Sequence, residues 1–369
     1  MRLEVAVRDA TEQTRQLIAD GGFEARFVAD LVYDGERRIS GIDLERGSTR
    51  LSWDAGRFVA GSGETRIVWA DDFASSVLPE RVGDLFAPYG AELQIDCLIG
   101  AWPFTERISL GSFVISGVPN LQDQKVLWEG RAISPGQAFT VSLQDPLVRV
   151  QRGKFAFPVA PGSASAWSEI QRVTGMPVVR NLPDAFVPRT TSYEGSKADV
   201  VNRLFDLVDA WPHVDATGVL TGRPKAWPAP VDEVRGVVSE VRSMEPDRTF
   251  NRVVVEGKSP NGDAIFAIAE ITEGPLRVRN EDGSVSPFGE LTYEYTSEFL
   301  TTYAQCLSTA RSLLPRVSKL RGQTQDIVEP FNPLREVGDV LKKGTGVVRV
   351  AQVTHEGPHT RLIVEVPDE

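Results

Sequence analysis

The dominant spacing of apolar residues along this chain is two. From Phe23 to Tyr33 the odd positions read Phe23, Ala25, Phe27, Ala29, Leu31 and Tyr33, and most even positions are polar. That is the pattern of a half-buried strand. Asp34-Gly35 follows as a turn, and Ile42, Leu44, Leu51 and Trp53 continue the alternation. The same reading predicts strands over Ile108–Ser116, Phe139–Leu143, Val253–Val255, Ile265–Ile271, Leu291–Tyr295, Val347–Val353 and Leu362–Val366. Asn261-Gly262 is a hairpin signal between two of them.

Helical spacing is rarer. Ser196 and Asp199 stand at capping-box distance ahead of Val200, Val201, Leu204, Leu207 and Val208, which share one helical face. Trp211-Pro212 is expected to end that helix. A second helix is predicted through Phe299, Leu300, Tyr303, Leu307, Ala310 and Leu314, stopping at Pro315, and a third over Trp167–Val173. Two Pro- and Gly-rich stretches, Phe157–Gly162 and Arg223–Pro230, read as boundaries. The expected division is a β-rich unit over 1–156, a helix-containing α/β insert over 157–232, and a second β-rich unit with one helix over 233–369. The first 20 residues yield no element by this reading.

Composition narrows the function classes. With 369 residues, 41% of them hydrophobic and 25% charged, the chain has room for two to four globular domains. Its formal charge of -11 argues against a basic nucleic-acid-binding surface, since phosphate contacts need clustered Lys and Arg. Cys97 and Cys306 lack metal-ligand spacing and sit among apolar residues, as buried small hydrophobes do. No basic-then-apolar leader precedes Val7, and no apolar run approaches the ~20 residues of a membrane span. A protein that stays soluble until it assembles is the expectation.

The literal catalytic motif is His355-Glu356-Gly357-Pro358-His359, which matches the zinc-protease spelling H-E-x-x-H. That chemistry needs both histidines one helical turn apart on one face, and proline between them opposes a helix by roughly 3 kcal/mol. The strand-like flanks make the segment a solvated hairpin turn instead. His213, in Trp211-Pro212-His213-Val214, reads as a partly buried structural histidine, because no nucleophile elbow accompanies it. The adjacent acids Asp71-Asp72 and Glu281-Asp282 read as solvated loops, and Gly218–Lys225 has the wrong register for a phosphate loop. Trp53, Trp69, Trp102, Trp128, Trp167, Trp211 and Trp227 are scattered rather than clustered, which favours packing over a sugar platform. No catalytic, cofactor-binding or metal-ligating residue is assigned, and the expectation is a protein without enzymatic activity.

Several local phrases, in order, resemble the tail hub proteins of tailed bacteriophages. Arg107-Ile108-Ser109-Leu110-Gly111-Ser112-Phe113-Val114-Ile115 is similar to the Leu-Gly-x-(Phe/Tyr)-x-(Ile/Val) strand that closes the family's first β-barrel. Before it, Pro88-Tyr89-Gly90-Ala91-Glu92-Leu93 resembles the family's strand entry, and after it Val141-Ser142-Leu143-Gln144-Asp145-Pro146 resembles the end of that barrel. Tyr193–Val201 running through Asp215-Ala216-Thr217-Gly218-Val219 looks like the family's short helix and its polar D-x-x-G turn. Pro333-Leu334-Arg335-Glu336-Val337-Gly338-Asp339-Val340 looks like the late turn into the last strands. The resemblance covers roughly Leu51 to Val366.

The resemblance implies a β-rich α+β fold with two tail-tube-like β-barrel domains and a helix-containing α/β insert. It further implies a homotrimeric tail-tip or baseplate hub at the distal end of the tail tube, in the virion, adapting a sixfold tube to a threefold tip. The partners it implies are the distal tail protein or tube ring above, the C-terminus of the tape measure protein in the lumen, and other tail-tip or receptor-binding proteins. DNA would pass through without specific binding, which suits the acidic charge. The chain reaches Glu369 a few residues past its last predicted strand, so the expectation is a structural hub without a lytic domain. The competing readings are a hexameric distal tail ring and a β-rich carbohydrate-binding or carbohydrate-hydrolysing tail-tip protein. The helix near Ser196–Val208 favours the hub over the first, and the scattered tryptophans count against the second.

Overall fold

The computed structural model describes residues 8, 10–69, 77–128, 131–243, 249–259, 261–297, 299–318 and 324–367. Met1–Val7 and the Asp71-Asp72 pair lie outside them. Helix α1 (Glu12–Asp20) leads into β1 (Glu24–Tyr33), β2 (Glu36–Leu44), β3 (Arg50–Asp54), β4 (Gly61–Trp69), β5 (Glu92–Ala101), β6 (Phe104–Trp128) and β7 (Arg131–Gln144). Helices α2 (Val148–Arg152), α3 (Ala166–Thr174) and α4 (Lys197–Leu207) follow, then the hairpin of β8 (Ala210–Val214) and β9 (Leu220–Pro224). Next come β10 (Asp232–Glu233), β11 (Ser239–Ser243), β12 (Arg252–Lys258), β13 (Ala264–Glu270) and β14 (Thr292–Thr296). The chain finishes with α5 (Tyr303–Val317), β15 (Thr324–Pro330), β16 (Val340–Lys343), β17 (Gly346–Glu356) and β18 (His359–Glu365).

A 13-stranded sheet carries the architecture. Within it the pairings β4-β2-β1-β5-β6-β7 return from β7 to β4, so six strands close into a ring. A second set of six, in the order β10-β16-β17-β18-β15-β11, joins that ring through β17 pairing with β3. No pairing closes this second set among the described residues. The two sets share one hydrophobic core, which runs from Phe27, Leu31 and Ile95 to Val350, Leu362 and Val364. A second core gathers Leu147, Trp167, Tyr193, Leu204 and Phe205 around α3 and α4. A third lies between α5 and the three-stranded sheet β13-β12-β14.

Local chemistry sets several boundaries. Ser196 caps α4 by accepting from the Asp199 backbone N–H, and Ser165 caps α3 from Ser168 in the same way. The helix predicted at Trp167–Val173 is α3. Helix α4 stops at Leu207 rather than at Trp211-Pro212, because Asp209 takes a left-handed conformation (φ 53°) and turns the chain away. Trp211 and Pro212 then lie in β8, a two-stranded hairpin whose open edge tolerates a residue without an N–H. Helix α5 begins at Tyr303, not Phe299, where Thr302 and Gln305 form a reciprocal capping box. It also continues past Pro315 to Val317 instead of stopping there. Helix α1, unread in the sequence, is held by Thr11 at its N-cap and Gly21 at its C-cap.

A buried ionic junction as the candidate functional site

Strand β6 carries a bulge. Ile95 faces Gly111 but the next residue, Asp96, faces Ser109, so Leu110 is the extra residue. Gly111 sits at φ 156°, and a Cβ there would lie 3.2 Å from the Phe113 ring, which is why glycine follows Leu110. The Leu110 carbonyl accepts from Arg8 Nη2 at 2.9 Å. Arg8 also donates through Nη1 to the Pro333 carbonyl at 2.6 Å and through Nε to Glu336 Oε1 at 3.1 Å. Its guanidinium lies 5.1 Å over the Trp53 ring, and Trp53 packs in turn against Phe113 and His355.

The insert reaches the same point from the other side. Arg223 on β9 donates through Nη2 to Glu336 Oε2. The same Nη2 stands 3.4 Å from His213 Nε2 on β8, while Nη1 stands 3.6 Å from Asp339 Oδ1. The turn between β8 and β9 is built by Asp215, whose Oδ1 accepts from the backbone N–H groups of Thr217 and Val219 and from the Thr217 hydroxyl. That turn docks on β6, where Ser109 Oγ donates to the Ala216 carbonyl at 3.1 Å. Glu336 therefore holds Arg8 on one carboxylate oxygen and Arg223 on the other, joining the N-terminal segment, the insert and the C-terminal segment.

The neighbouring residue works in the opposite direction. Arg335 forms a two-pronged pair with Glu329 at 2.7 and 3.1 Å, and donates to Asp232 at 2.7 Å and to the Glu233 carbonyl at 2.8 Å. Arg335 and Glu336 thus fasten the turn to two sets of segments.

Burial governs the protonation of this cluster. It pushes the Glu336 carboxyl up, but Arg223 and Arg8 outweigh it and hold Glu336 below the usual carboxylate range. Asp339 goes the other way: burial raises it, Arg223 opposes that only in part, and Glu336 adds to the rise. His213 is pushed down to about 3 by burial and by the charge of Arg223, so its ring is neutral at ordinary pH. The void at the centre measures about 20 Å³, room for one water and too small for a substrate.

Three stretches singled out in the sequence meet here: Arg107–Ile115, Asp215–Val219 and Pro333–Val340. Sequence reasoning missed Arg8 and Arg223. Arg8 falls in the stretch without an element, and Arg223 was read only as the start of a boundary.

The other candidates lie apart. The turn at Gly357-Pro358 forms as expected, with Glu356 facing His359 across the hairpin. His355 is not solvated, however. It is buried in β17, with Nδ1 3.1 Å from Thr360 Oγ1 and its ring against Trp53 and Phe331, because its side of the strand faces the core. His359 is exposed, so the two histidines do not converge. Glu281 and Asp282 sit in an exposed turn where Asp282 accepts from Ser284. Lys225 pairs with Asp206, and Trp211 lies beneath the Arg349 guanidinium at 4.2 Å. Cys97 and Cys306 are buried and free, and burial pushes the Cys97 thiol up to about 12. Among the described residues no group of three or more His, Cys, Asp or Glu is arranged to hold a metal ion. No helix among them is long and apolar enough to cross a membrane.

His355 supplies a test of the core. Burial holds its ring well below the ordinary 6.5, so the folded protein keeps it neutral. The unfolded chain takes up a proton below that pH which the folded chain refuses, so this residue subtracts stability as pH falls through 6.5. Asp145, raised to about 6 by burial, acts in the opposite direction, so wild type must be compared with a variant. Between pH 6.5 and 5, His355→Leu should gain about 1.5 kcal/mol on wild type in urea unfolding. A pH-independent difference would mean that His355 takes up its proton in the fold as readily as in the unfolded chain.

No family model and no curated protein sequence matches the chain. Solved structures do. A 43 kDa tail protein of prophage MuSo2 from Shewanella oneidensis superposes with a TM-score of 0.55 at 11% identity, over 92% of this chain and 97% of that one. A tail protein from Neisseria meningitidis MC58 gives 0.55 at 11% identity, over 92% and 96%. The prophage tail protein gp18 from Listeria monocytogenes EGD-e gives 0.50 at 11%, over 92% and 95%. The chain has the fold of phage tail proteins, and it spans nearly the whole length of each. The order of phrases read in the sequence led to the same group of folds.

Proposed function

We propose that this chain is a structural protein of a phage tail, acting at the tail tip as the hub that closes the distal end of the tube. The observation that carries the reading is the pair of six-stranded sets in one chain, one closed into a ring and the other joined to it through β3 and β17. Two tube-like β units per subunit let three subunits present six to a sixfold tube, while the insert forms a threefold lower face. The proposed division is a first barrel over 1–156, an α/β insert over 157–232 and a second barrel over 233–369. The ionic junction then acts mechanically, since Glu336 fixes the insert against both β units and the subunit transmits load as one body.

On this reading the protein performs no catalysis. It joins the distal tail ring or tube above, the tape measure C-terminus in the lumen, and receptor-binding or other tip proteins below. DNA passes along the acidic wall without specific contact. Light scattering with negative-stain imaging tests the assembly. A trimeric ring with a central hole is the expected result. A hexameric ring would replace the hub by a distal tail ring, and a monomer with a deep acid-lined cleft would point to a sugar-directed protein.

A further inference from the structure

His213 stands where the insert meets the rest of the chain, and one of its ring nitrogens has a fixed role. Arg223 Nη2 lies 3.4 Å from His213 Nε2. A guanidinium carries donors and no acceptor, so Nε2 must be the bare, accepting nitrogen and the ring proton sits on Nδ1. A second proton would aim a donor at a donor and set two cations side by side in a buried site. The contact therefore exists only while His213 is neutral. The same Arg223 nitrogen donates to Glu336, so the ring bears directly on the bond that fastens the insert.

The charged groups around the ring come from every side of the joint. Burial, Arg223 on β9 and Arg8 in the N-terminal segment oppose a proton on His213, and Glu336, in the turn before β16, favours one. Asp145, after β7, and Asp215, in the β8–β9 turn, line the same small void. Asp339 stands behind Arg223, 3.6 Å from its Nη1. Glu336 is already shared by two arginines and does not offset a third cation. We propose that His213 makes this joint an acid-release latch: protonation of its ring frees the β8–β9 hairpin from β6 and from the Glu336 turn. The closed joint refuses a proton that the open joint takes up below histidine's ordinary 6.5. Closure is thus at full strength above that pH and is lost as pH falls through it. Asp339 and Asp145, both raised by burial, act in the opposite direction, and comparison with a His213 variant cancels them. Ser109 and Arg349 also hold the hairpin, through its carbonyls, and add a cost of opening that does not vary between pH 7.5 and 5.

The test follows hydrogen exchange of the full chain at pH 7.5 and 5, read as protection relative to the intrinsic rate at each pH. Wild type is compared with His213→Gln, whose side-chain oxygen accepts from Arg223 and takes no proton. From pH 7.5 to 5, protection of the hairpin amides in wild type should fall about thirtyfold relative to the variant. At both pH values the hairpin should stay less protected than the ring strands, which marks a local opening. A wild-type to variant ratio that does not change with pH would overturn the proposal, as would a hairpin protected as strongly as the ring strands. A second measurement covers the case in which His213→Gln does not fold. The chain has three histidines, and nitrogen NMR of His355→Leu at pH 5 reports the other two rings. One should remain neutral with its proton on Nδ1, and two charged rings in the folded chain would overturn the proposal. None of these outcomes touches the hub reading, which rests on the ring of subunits.

Discussion

Glu336→Ala is expected to cost about 3–5 kcal/mol of unfolding free energy, the largest loss from any single charged residue of the junction. Glu336 is buried and accepts from two arginines that are themselves buried, Arg8 and Arg223. Removing its carboxylate leaves both guanidiniums in a low-dielectric interior, each still desolvated. Arg8 retains its carbonyl partners at Pro333 and Leu110, but Arg223 is left facing neutral His213 and an Asp339 whose pKa burial has raised. The damage should therefore be greatest where the insert meets the sheet. Urea unfolding followed by tryptophan fluorescence measures the total. Hydrogen exchange should show the β8–β9 hairpin opening before the ring strands. The triple replacement Arg8→Met, Glu336→Leu, Arg223→Met should recover much of the loss, since an apolar core of similar volume needs no charge pairing. A loss below about 1 kcal/mol for Glu336→Ala would mean that the junction is solvated and carries no load.

Gly257→Val should disrupt the third core while leaving the ring intact. A Cβ at Gly257 would stand 2.3 Å from the Leu300 carbonyl oxygen and 2.6 Å from Cys306 Sγ. The same carbonyl accepts from the Lys258 backbone N–H at 2.9 Å, so the clash falls on a bond that ties β12 to the approach of α5. Backbone cannot yield as a flexible side chain does, and a cost at or above the 1–3 kcal/mol typical of overpacking is expected. Cys306 provides a direct readout. It is buried in this core, and Cys97 is buried in the first. In the variant a thiol reagent should label one cysteine per chain without denaturant, and peptide mapping should place the label on Cys306. Gly47→Ala, at a glycine with open space around it, should change stability by less than about 0.5 kcal/mol. Labelling of both thiols would show that the third core is not independent of the first.

The stability of the folded chain thus rests on contacts between residues hundreds of positions apart, and these were the least legible features of the sequence. The alternation Phe23–Tyr33 did name the buried face of β1 through Phe27, Ala29 and Leu31. It did not reveal that Val28 and Asp30 on the other face are buried too. That depends on what packs above them, including Arg37 and Arg107 against Asp30. Ser196 announced α4 because a capping hydroxyl acts within three residues. Thr11 caps α1 in the same way, but the short helix behind it lacks a clear apolar stripe, and the sequence reading named neither.

What the sequence by itself determined is local: period-two strands, capped helix starts, the Asn261-Gly262 and Gly357-Pro358 turns, and a proline that forbids a zinc-binding helix at His355–His359. It also carried an order of short phrases that pointed to phage tail proteins ahead of any structure. Only the tertiary structure decided that three of those phrases meet at one carboxylate, that six strands close into a ring, and that His355 is core rather than turn. The physical reason is range. Turn and cap chemistry is complete within a few residues. Ring closure and the pairing of Arg8 with Glu336, 328 positions away, depend on energies that exist only once the intervening chain is packed and water is excluded.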